Sequence, residues 1–139
     1  MTDTVKFRMT LSSIPKNIVR VEKFVGKVTA RFLLDEIKLN KVMVSLTEAV
    51  NNAIVHGNKS NPARKVTVIC ESLPGWLLFI VNDEGRGFRL ERVANPLKSE
   101  NLLRESGRGV FLMRTLMDRV EFEVLPHGYQ VRLWLELDR

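Results

Sequence analysis

Two strand-like runs joined by a very short turn constrain this fold more than any other feature of the sequence. Residues 66–73 and 76–82 are rich in β-branched and aromatic side chains and are separated only by Pro74-Gly75. Parallel strands need a crossover of a dozen or more residues, so a connection this short predicts an antiparallel hairpin. A second such pair lies within residues 120–137, and its turn is expected at His127-Gly128. We therefore expect a largely antiparallel sheet.

Helical periodicity fills most of the remaining chain. Alternation of apolar and polar residues over 5–11 predicts an opening strand. An amphipathic helix is then expected to end near Leu34, and a second to run from about Asn40, its expected N-cap, to His56. A third helix is expected over 109–118. This order of elements predicts a single α+β domain spanning residues 1–139, a two-layer α/β sandwich with a mixed but largely antiparallel sheet and helices on one face.

The composition narrows the class of protein. There are 22 Lys and Arg against 16 Asp and Glu, a net charge of +6. This excess fits a solvated surface with a basic bias, and it equally fits attraction of nucleotide phosphates or of an acidic partner protein. No basic block is interleaved with stacking aromatics, so we expect no direct nucleic-acid contact. The longest apolar run, Trp76 to Val81, is far too short to span a bilayer, and the amino terminus lacks an apolar signal segment. With Cys70 as the one cysteine, a cytoplasmic protein is expected.

Glu48 and Asn52 lie four residues apart on the second predicted helix, on the face opposite its main apolar stripe. A solvated surface is the usual explanation for such a pair on a helix. However, Val44 and Val55 share that face, so it is expected to be partly covered. A carboxylate in such a place can take a proton from an attacking hydroxyl, and an amide oxygen can bind Mg²⁺.

The stretch from Asp83 to Phe88 follows a buried strand and contains two glycines. It could be a simple surface turn. Alternatively, glycine lets the backbone approach a ligand, and Asp83 could accept a hydrogen bond from an exocyclic amine such as that of adenine.

Residues 107–109, Gly-Arg-Gly, precede the third predicted helix. They too could form an ordinary turn. A helix N-terminus nevertheless offers free N–H groups to a phosphate, and a guanidinium suits phosphate oxygens. The irregular segment 89–106 between the two glycine motifs is expected to act as a mobile lid.

The order of these motifs resembles a known family. Residues 48–58 (EAVNNAIVHGN) resemble the N-box of the GHKL, or Bergerat-fold, ATP-binding superfamily. Residues 83–88 resemble its first glycine box and residues 106–110 its second, in the correct order and spacing. The length and the opening strand are most similar to the bacterial anti-sigma factor serine kinases.

That resemblance implies roles for the chemical groups. Glu48 would be the catalytic general base, Asn52 would bind both the nucleotide and Mg²⁺, and Asp83 would contact the amine of adenine. The cofactors implied are ATP and Mg²⁺.

The two glycine boxes would supply the other nucleotide contacts. Gly85 and Gly87 would shape the adenine pocket, and Gly107, Arg108 and Gly109 would hold the phosphates beneath the lid.

The resemblance also implies partners. Proteins of that family typically bind a sigma factor when they are loaded with ATP. They also phosphorylate a serine on a small anti-anti-sigma antagonist protein. They are usually homodimers. One departure lies in the last strand, where Gln130, Val131 and Arg132 stand in a region that often holds a threonine near the phosphates.

Two other functions are considered beside this protein-serine kinase. A non-catalytic module could use ATP only as a conformational ligand to sequester a partner, but such a module would not need a base at Glu48. The catalytic half of a histidine kinase is disfavoured, because we expect no preceding helical hairpin with a phosphoacceptor histidine.

Overall fold

A five-stranded antiparallel sheet is the centre of the described part of the protein. The computed structural model describes residues 4–85 and 108–137. Its strands in chain order are β1 (Lys6–Ser12), β2 (Lys65–Leu73), β3 (Trp76–Asp83), β4 (Arg119–Leu125) and β5 (Gly128–Glu136). They lie in the order β1-β2-β3-β5-β4, and each neighbouring pair is antiparallel. The predicted two-layer α+β sandwich is confirmed, and the pairings among these five strands are all antiparallel.

In the described residues, three α-helices pack on the sheet. They are α1 (Val19–Phe32), α2 (Glu36–Asn52) and α3, which is helical over residues 108–116. A 3₁₀ turn (Pro15–Ile18) precedes α1, and a π-helical turn (Ala53–Gly57) follows α2. None of the helices in the described ranges combines the length and the apolar character needed to cross a membrane.

The core lies between the helices and one face of the sheet. Along β3, Leu77, Phe79 and Val81 are almost fully buried and point to the same side, as the period of two in a strand requires. Leu46 of α2 and Leu133 of β5 are also completely buried against them. Each such side chain contributes roughly 1.5–3 kcal/mol of hydrophobic stabilisation. This packing fixes α2 over β3 and β5.

The predicted start of the second helix was wrong. The helix begins at Glu36 rather than near Asn40, because Asp35 is its N-cap. Asp35 is extended, and its Oδ1 accepts a hydrogen bond from the N–H of Lys38 at 2.8 Å. A carboxylate suits this position, since it satisfies an unpaired amide and complements the helix dipole. The first helix ends at Phe32, and Leu33 adopts a left-handed conformation.

The two hairpins form as the short connections predict. Gly75 has a φ of 78° in the turn between β2 and β3, a conformation that favours glycine. In the second hairpin β4 ends at Leu125 and β5 begins at Gly128. The turn therefore lies at Pro126-His127, one residue earlier than expected, and Gly128 is already part of the strand.

Candidate functional site

Glu48 and Asn52 lie one helical turn apart on α2, and both face the beginning of the described part of α3. Both residues are half-buried. A Cβ atom added to Gly109 would lie 2.7 Å from Glu48 Oε2 and 3.4 Å from Asn52 Nδ2. The backbone of α3 can come this close because Gly109 has no side chain. The structure thus brings three of the predicted site residues together.

Asp83 is held in a tight, buried turn at the end of β3. Asp83 is only 8% exposed. Its Oδ1 accepts a hydrogen bond from the N–H of Gly85 at 2.9 Å. The other carboxylate oxygen packs against Gly57, where an added Cβ would overlap it. A Cβ on Gly85 would in turn overlap the carbonyl oxygen of Gly57. Two glycines therefore pack around one carboxylate.

Burial controls the ionisation of this carboxylate. It raises the pKa of Asp83 from its ordinary value of 3.8 to about 6, and the hydrogen bond from Gly85 opposes part of that rise. Tyr129 is the cross-strand partner of Asp83 on β5. Burial, followed by the charge of Asp83, raises the pKa of Tyr129 to about 12. A ligand that donates a hydrogen bond to Asp83 would stabilise its ionised form.

A cavity of about 110 Å³ opens beside Asp83, between α2, α3 and the sheet. Its wall is mainly apolar, and includes Ala49, Ala53, Val81, Met113 and Val131. Polar groups enter it from Asn52, His56, Asp83 and Tyr129. An apolar slot with a carboxylate at one side suits a flat heteroaromatic base that carries an amine.

The remaining predicted residues divide into two groups. Arg108 is exposed at the first described position of α3, next to buried Gly109. Gly87 and Gly107, together with the predicted lid over 89–106, lie outside the described residues, so their roles stay predictions.

The structure adds residues that the sequence did not single out. An added Cβ on Gly128 would overlap the backbone carbonyl oxygen of Asp83, so this glycine supports the site as well as the hairpin. Asn58 is fully buried and hydrogen-bonds to the residue after Asp83. A Gly-Asn pair after a helix is also common at an ordinary helix end. The sequence alone therefore does not reveal that Asn58 supports the turn that carries Asp83. His56, named above only as the expected end of the second helix, lies at the cavity wall.

Comparison with known proteins gives consistent matches. Residues 11–135 match the family model described as a histidine kinase-like ATPase domain. The anti-sigma F factor of Heyndrickxia coagulans is 37% identical over 110 residues, which cover 76% of this chain and 71% of that protein. The serine-protein kinase RsbW of Staphylococcus epidermidis is 30% identical over 125 residues, covering 85% and 77%.

A solved structure shares the fold. It contains the RsbU and RsbW domains of a protein from Mycobacterium tuberculosis, and it matches 97% of this chain with a TM-score of 0.70 and 16% identity. This chain spans about a third, 32%, of the length of that larger one.

Proposed function

The chain belongs to the histidine kinase-like ATPase domain family, and from that membership we propose that it is an anti-sigma factor with protein-serine kinase activity. It would bind ATP with Mg²⁺, sequester a sigma factor, and phosphorylate a serine on a small antagonist protein. The names of two relatives, an anti-sigma F factor and a serine-protein kinase, support the two halves of the proposal. Such a protein would act in the cytoplasm, where bacterial transcription takes place.

One observation carries this proposal: Glu48 and Asn52 meet Gly109 beside the cavity that contains Asp83. A base and a metal ligand on one helix, a phosphate-binding helix start and an adenine acceptor are the parts that ATP-dependent transfer needs. The proposed order along the nucleotide is therefore Asp83 at the base and Gly109 at the phosphates. Arg108, exposed next to Gly109, would add positive charge there.

Glu48 is the proposed base for the transfer step. As the serine oxygen forms its bond to the γ-phosphorus, the bond to the β-phosphate oxygen breaks and ADP leaves. The hydroxyl proton must then go to a nearby acceptor. Glu48 is half-buried and next to Gly109, so its carboxylate would receive that proton at the phosphate end of the site.

Asn52 fits a magnesium site by the chemistry of its side chain. Its amide oxygen is a neutral, hard donor, and the residue is half-buried next to Gly109. Mg²⁺ commonly takes one or two protein ligands and completes its shell with phosphate oxygens and water. When bound, the ion would neutralise charge on the phosphates. Asn52 would supply a protein ligand to it.

The charge on α1 supports an acidic partner protein. Five exposed cations recur at spacings of three and four, and so form one stripe along the helix and the turn before it: Lys16, Arg20, Lys23, Lys27 and Arg31. Glu22 is the one acidic residue in this stretch. Within the described ranges, no ion pair neutralises the five cations. This cationic stripe would attract an acidic sigma factor or antagonist.

The proposal includes a homodimer, for which β1 and α1 are the candidate contact. β1 is an edge strand of the sheet, and edge strands can pair with another chain. The cationic stripe would be brought close to its own copy at such a contact. We therefore expect salt to strengthen self-association and to weaken binding of an acidic partner.

A transfer assay with γ-labelled ATP tests the proposed activity. The antagonist and sigma factor would be taken from proteins captured in the source cell with and without ATP. Wild type should label the antagonist on serine, and Glu48→Gln should bind ATP but give no label. If wild type captures a sigma factor in an ATP-dependent way without transfer, the protein is a non-catalytic switch instead. If ATP does not bind, the assignment of this cavity as a nucleotide site is wrong.

A further inference from the structure

Asn58 is a fully buried polar side chain that joins three separate parts of the chain. It directly follows the π-helical turn. Its Nδ2 donates to the Oγ of Ser13 at 2.8 Å and to the carbonyl of Lys65 at 3.0 Å. Its Oδ1 accepts a hydrogen bond from the N–H of Glu84 at 2.8 Å. Both amide hydrogens and the carbonyl oxygen are therefore used.

The bond to Glu84 holds the turn that carries Asp83. Glu84 directly follows Asp83, and Asn58 directly follows Gly57, against which the Asp83 carboxylate packs. Gly85 completes the contact by packing against the Gly57 carbonyl oxygen. The end of the π-helical turn and Asn58 therefore hold this turn at two points, by close packing at Gly57 and by the hydrogen bond that the Glu84 N–H donates to Asn58 Oδ1.

The other two bonds of Asn58 fix the amide itself. Ser13 Oγ, which accepts from Asn58, donates to the carbonyl of Arg64 at 2.8 Å. Lys65 is the first residue of β2, and its carbonyl is the second acceptor. Because Ser13 directly follows β1 and Lys65 begins β2, both partners are held in place, and the amide plane cannot rotate without breaking a buried bond. Its oxygen is thus kept pointing at Glu84.

We propose that Asn58 is a positioning residue for nucleobase selection, which acts by keeping the Asp83 carboxylate aimed into the cavity. The inference rests on the proposed function, since it requires a nucleotide in that cavity. Adenine presents an amine at its 6-position, whereas guanine presents a carbonyl oxygen there. A fixed carboxylate accepts a hydrogen bond from the first and repels the second. The preference for ATP over GTP thus depends on how firmly Asp83 is held.

The test compares the dissociation constants of ATP and GTP for wild type, Asn58→Ala and Ser13→Ala, measured by calorimetry on the whole chain. In Asn58→Ala the Glu84 N–H loses its hydrogen-bond acceptor, and the Asp83 carboxylate is no longer held in one orientation. ATP should therefore bind on the order of tenfold more weakly. GTP affinity, which depends on the phosphates, should change little. The ratio of the GTP dissociation constant to the ATP dissociation constant should therefore fall.

Ser13→Ala is the matched control. It removes a buried hydrogen bond of the same network but leaves Asn58 its bonds to Lys65 and Glu84. It should lower the melting temperature while keeping the ratio of wild type. A purely structural role for Asn58 predicts instead that both variants lose stability and both keep the ratio.

The outcomes separate the two levels of the argument. If folded Asn58→Ala keeps the wild-type ratio, the inference is overturned while ATP binding stands. If Asn58→Ala does not fold, Asn58→Ser replaces it, because its hydroxyl remains a polar group in the buried site but is too short to take over the hydrogen bond from the Glu84 N–H. That variant should also lose preference for ATP over GTP, and the wild-type ratio of the two dissociation constants in it would contradict the inference. If wild type binds neither nucleotide, the proposed function fails as well.

Discussion

The carboxylate of Asp83 packs directly against Gly57, leaving no room for a side chain between them. One residue ends a central strand and the other ends a helical segment. Their contact is therefore a junction between the two layers of the fold. Because Asp83 also lines the cavity, the geometry of the proposed adenine contact depends on a glycine in a different element.

Gly57→Ala is expected to weaken ATP binding by at least about tenfold and to lower the free energy of unfolding by roughly 1–3 kcal/mol. The new methyl group would overlap the Asp83 carboxylate, so that the carboxylate or the π-helical turn must move. Calorimetric titration with ATP and denaturation in urea measure the two effects. Unchanged ATP affinity would show that Asp83 does not contact the nucleotide.

Gly26→Ala is the control for that substitution and a prediction of its own. Gly26 lies inside α1, and an added Cβ would meet nothing within 4 Å. Alanine should therefore stabilise the helix by about 0.5–1 kcal/mol and leave ATP affinity unchanged. A loss of stability here would indicate that the exposed side of α1 is covered in solution.

Asp83→Asn is expected to stabilise the protein without ligand at neutral pH while abolishing tight ATP binding. The folded pKa of about 6 lies above the ordinary 3.8, so ionisation of this group opposes folding. That opposition is of the order of 3 kcal/mol above about pH 6. It declines as the pH falls towards about 4, below which Asp83 is protonated in both states.

Urea denaturation of both proteins at about pH 7.5 and about pH 4 tests this sign. Asn should be the more stable variant only at the higher pH. Equal stability of the two proteins at both pH values would contradict the burial argument. ATP titration of the same samples checks that added stability comes with lost affinity.

Gly109→Ala is expected to slow transfer to the antagonist by about a hundredfold, since a displaced base of about an ångström can have that effect. Its Cβ would lie 2.7 Å from Glu48 Oε2, which forces the carboxylate or α3 to shift. The clash disappears when Glu48 is shortened. In a Glu48→Ala background, Gly109→Ala should therefore reduce ATP affinity less than it does in wild type. Additive effects on affinity would mean that the two residues do not interact.

Reversing charge on the cationic stripe is expected to slow association with the acidic partner. Lys23→Glu with Lys27→Glu should lower the association rate constant by about tenfold at low salt, with a smaller difference at high salt. Glu22→Lys, on the same helix, should raise the rate. Surface plasmon resonance across a salt series measures both. Equal rates for all three proteins would locate partner binding elsewhere.

The architecture could be predicted because hairpin connections and apolar periodicity are local signals. The turn at Gly75 and the spacing of apolar residues in α1 and β3 were sufficient for the layers and the strand type. The start of α2 was missed because Asp35 and Asn40 are both suitable N-cap residues. The structure shows that Asp35 is the cap, since its backbone is extended and its side chain accepts a hydrogen bond from the N–H of Lys38.

The grouping of some candidate site residues was predictable from the sequence, but their packing was not. Glu48 and Asn52 share a helical face, so their proximity follows from the period of the helix. That Gly109 would approach them, and that Gly57 and Gly128 would close around Asp83, depends on contacts between residues far apart in sequence. The same is true of Asn58, whose partners come from three strand ends or turns.

The π-helical turn at Ala53–Gly57 sets a limit on how this protein can be engineered. The N–H of Asn58 bonds to the carbonyl of Ala53, so the turn holds one residue more than an α-helical turn. Deleting that extra residue would favour regular helix, yet it would rotate everything beyond it by about 100° around the axis. Gly57 would no longer pack against the Asp83 carboxylate, and a bulkier residue would take its position. A sequence redesigned only for higher helix content would thus form a more regular helix but lose nucleotide binding.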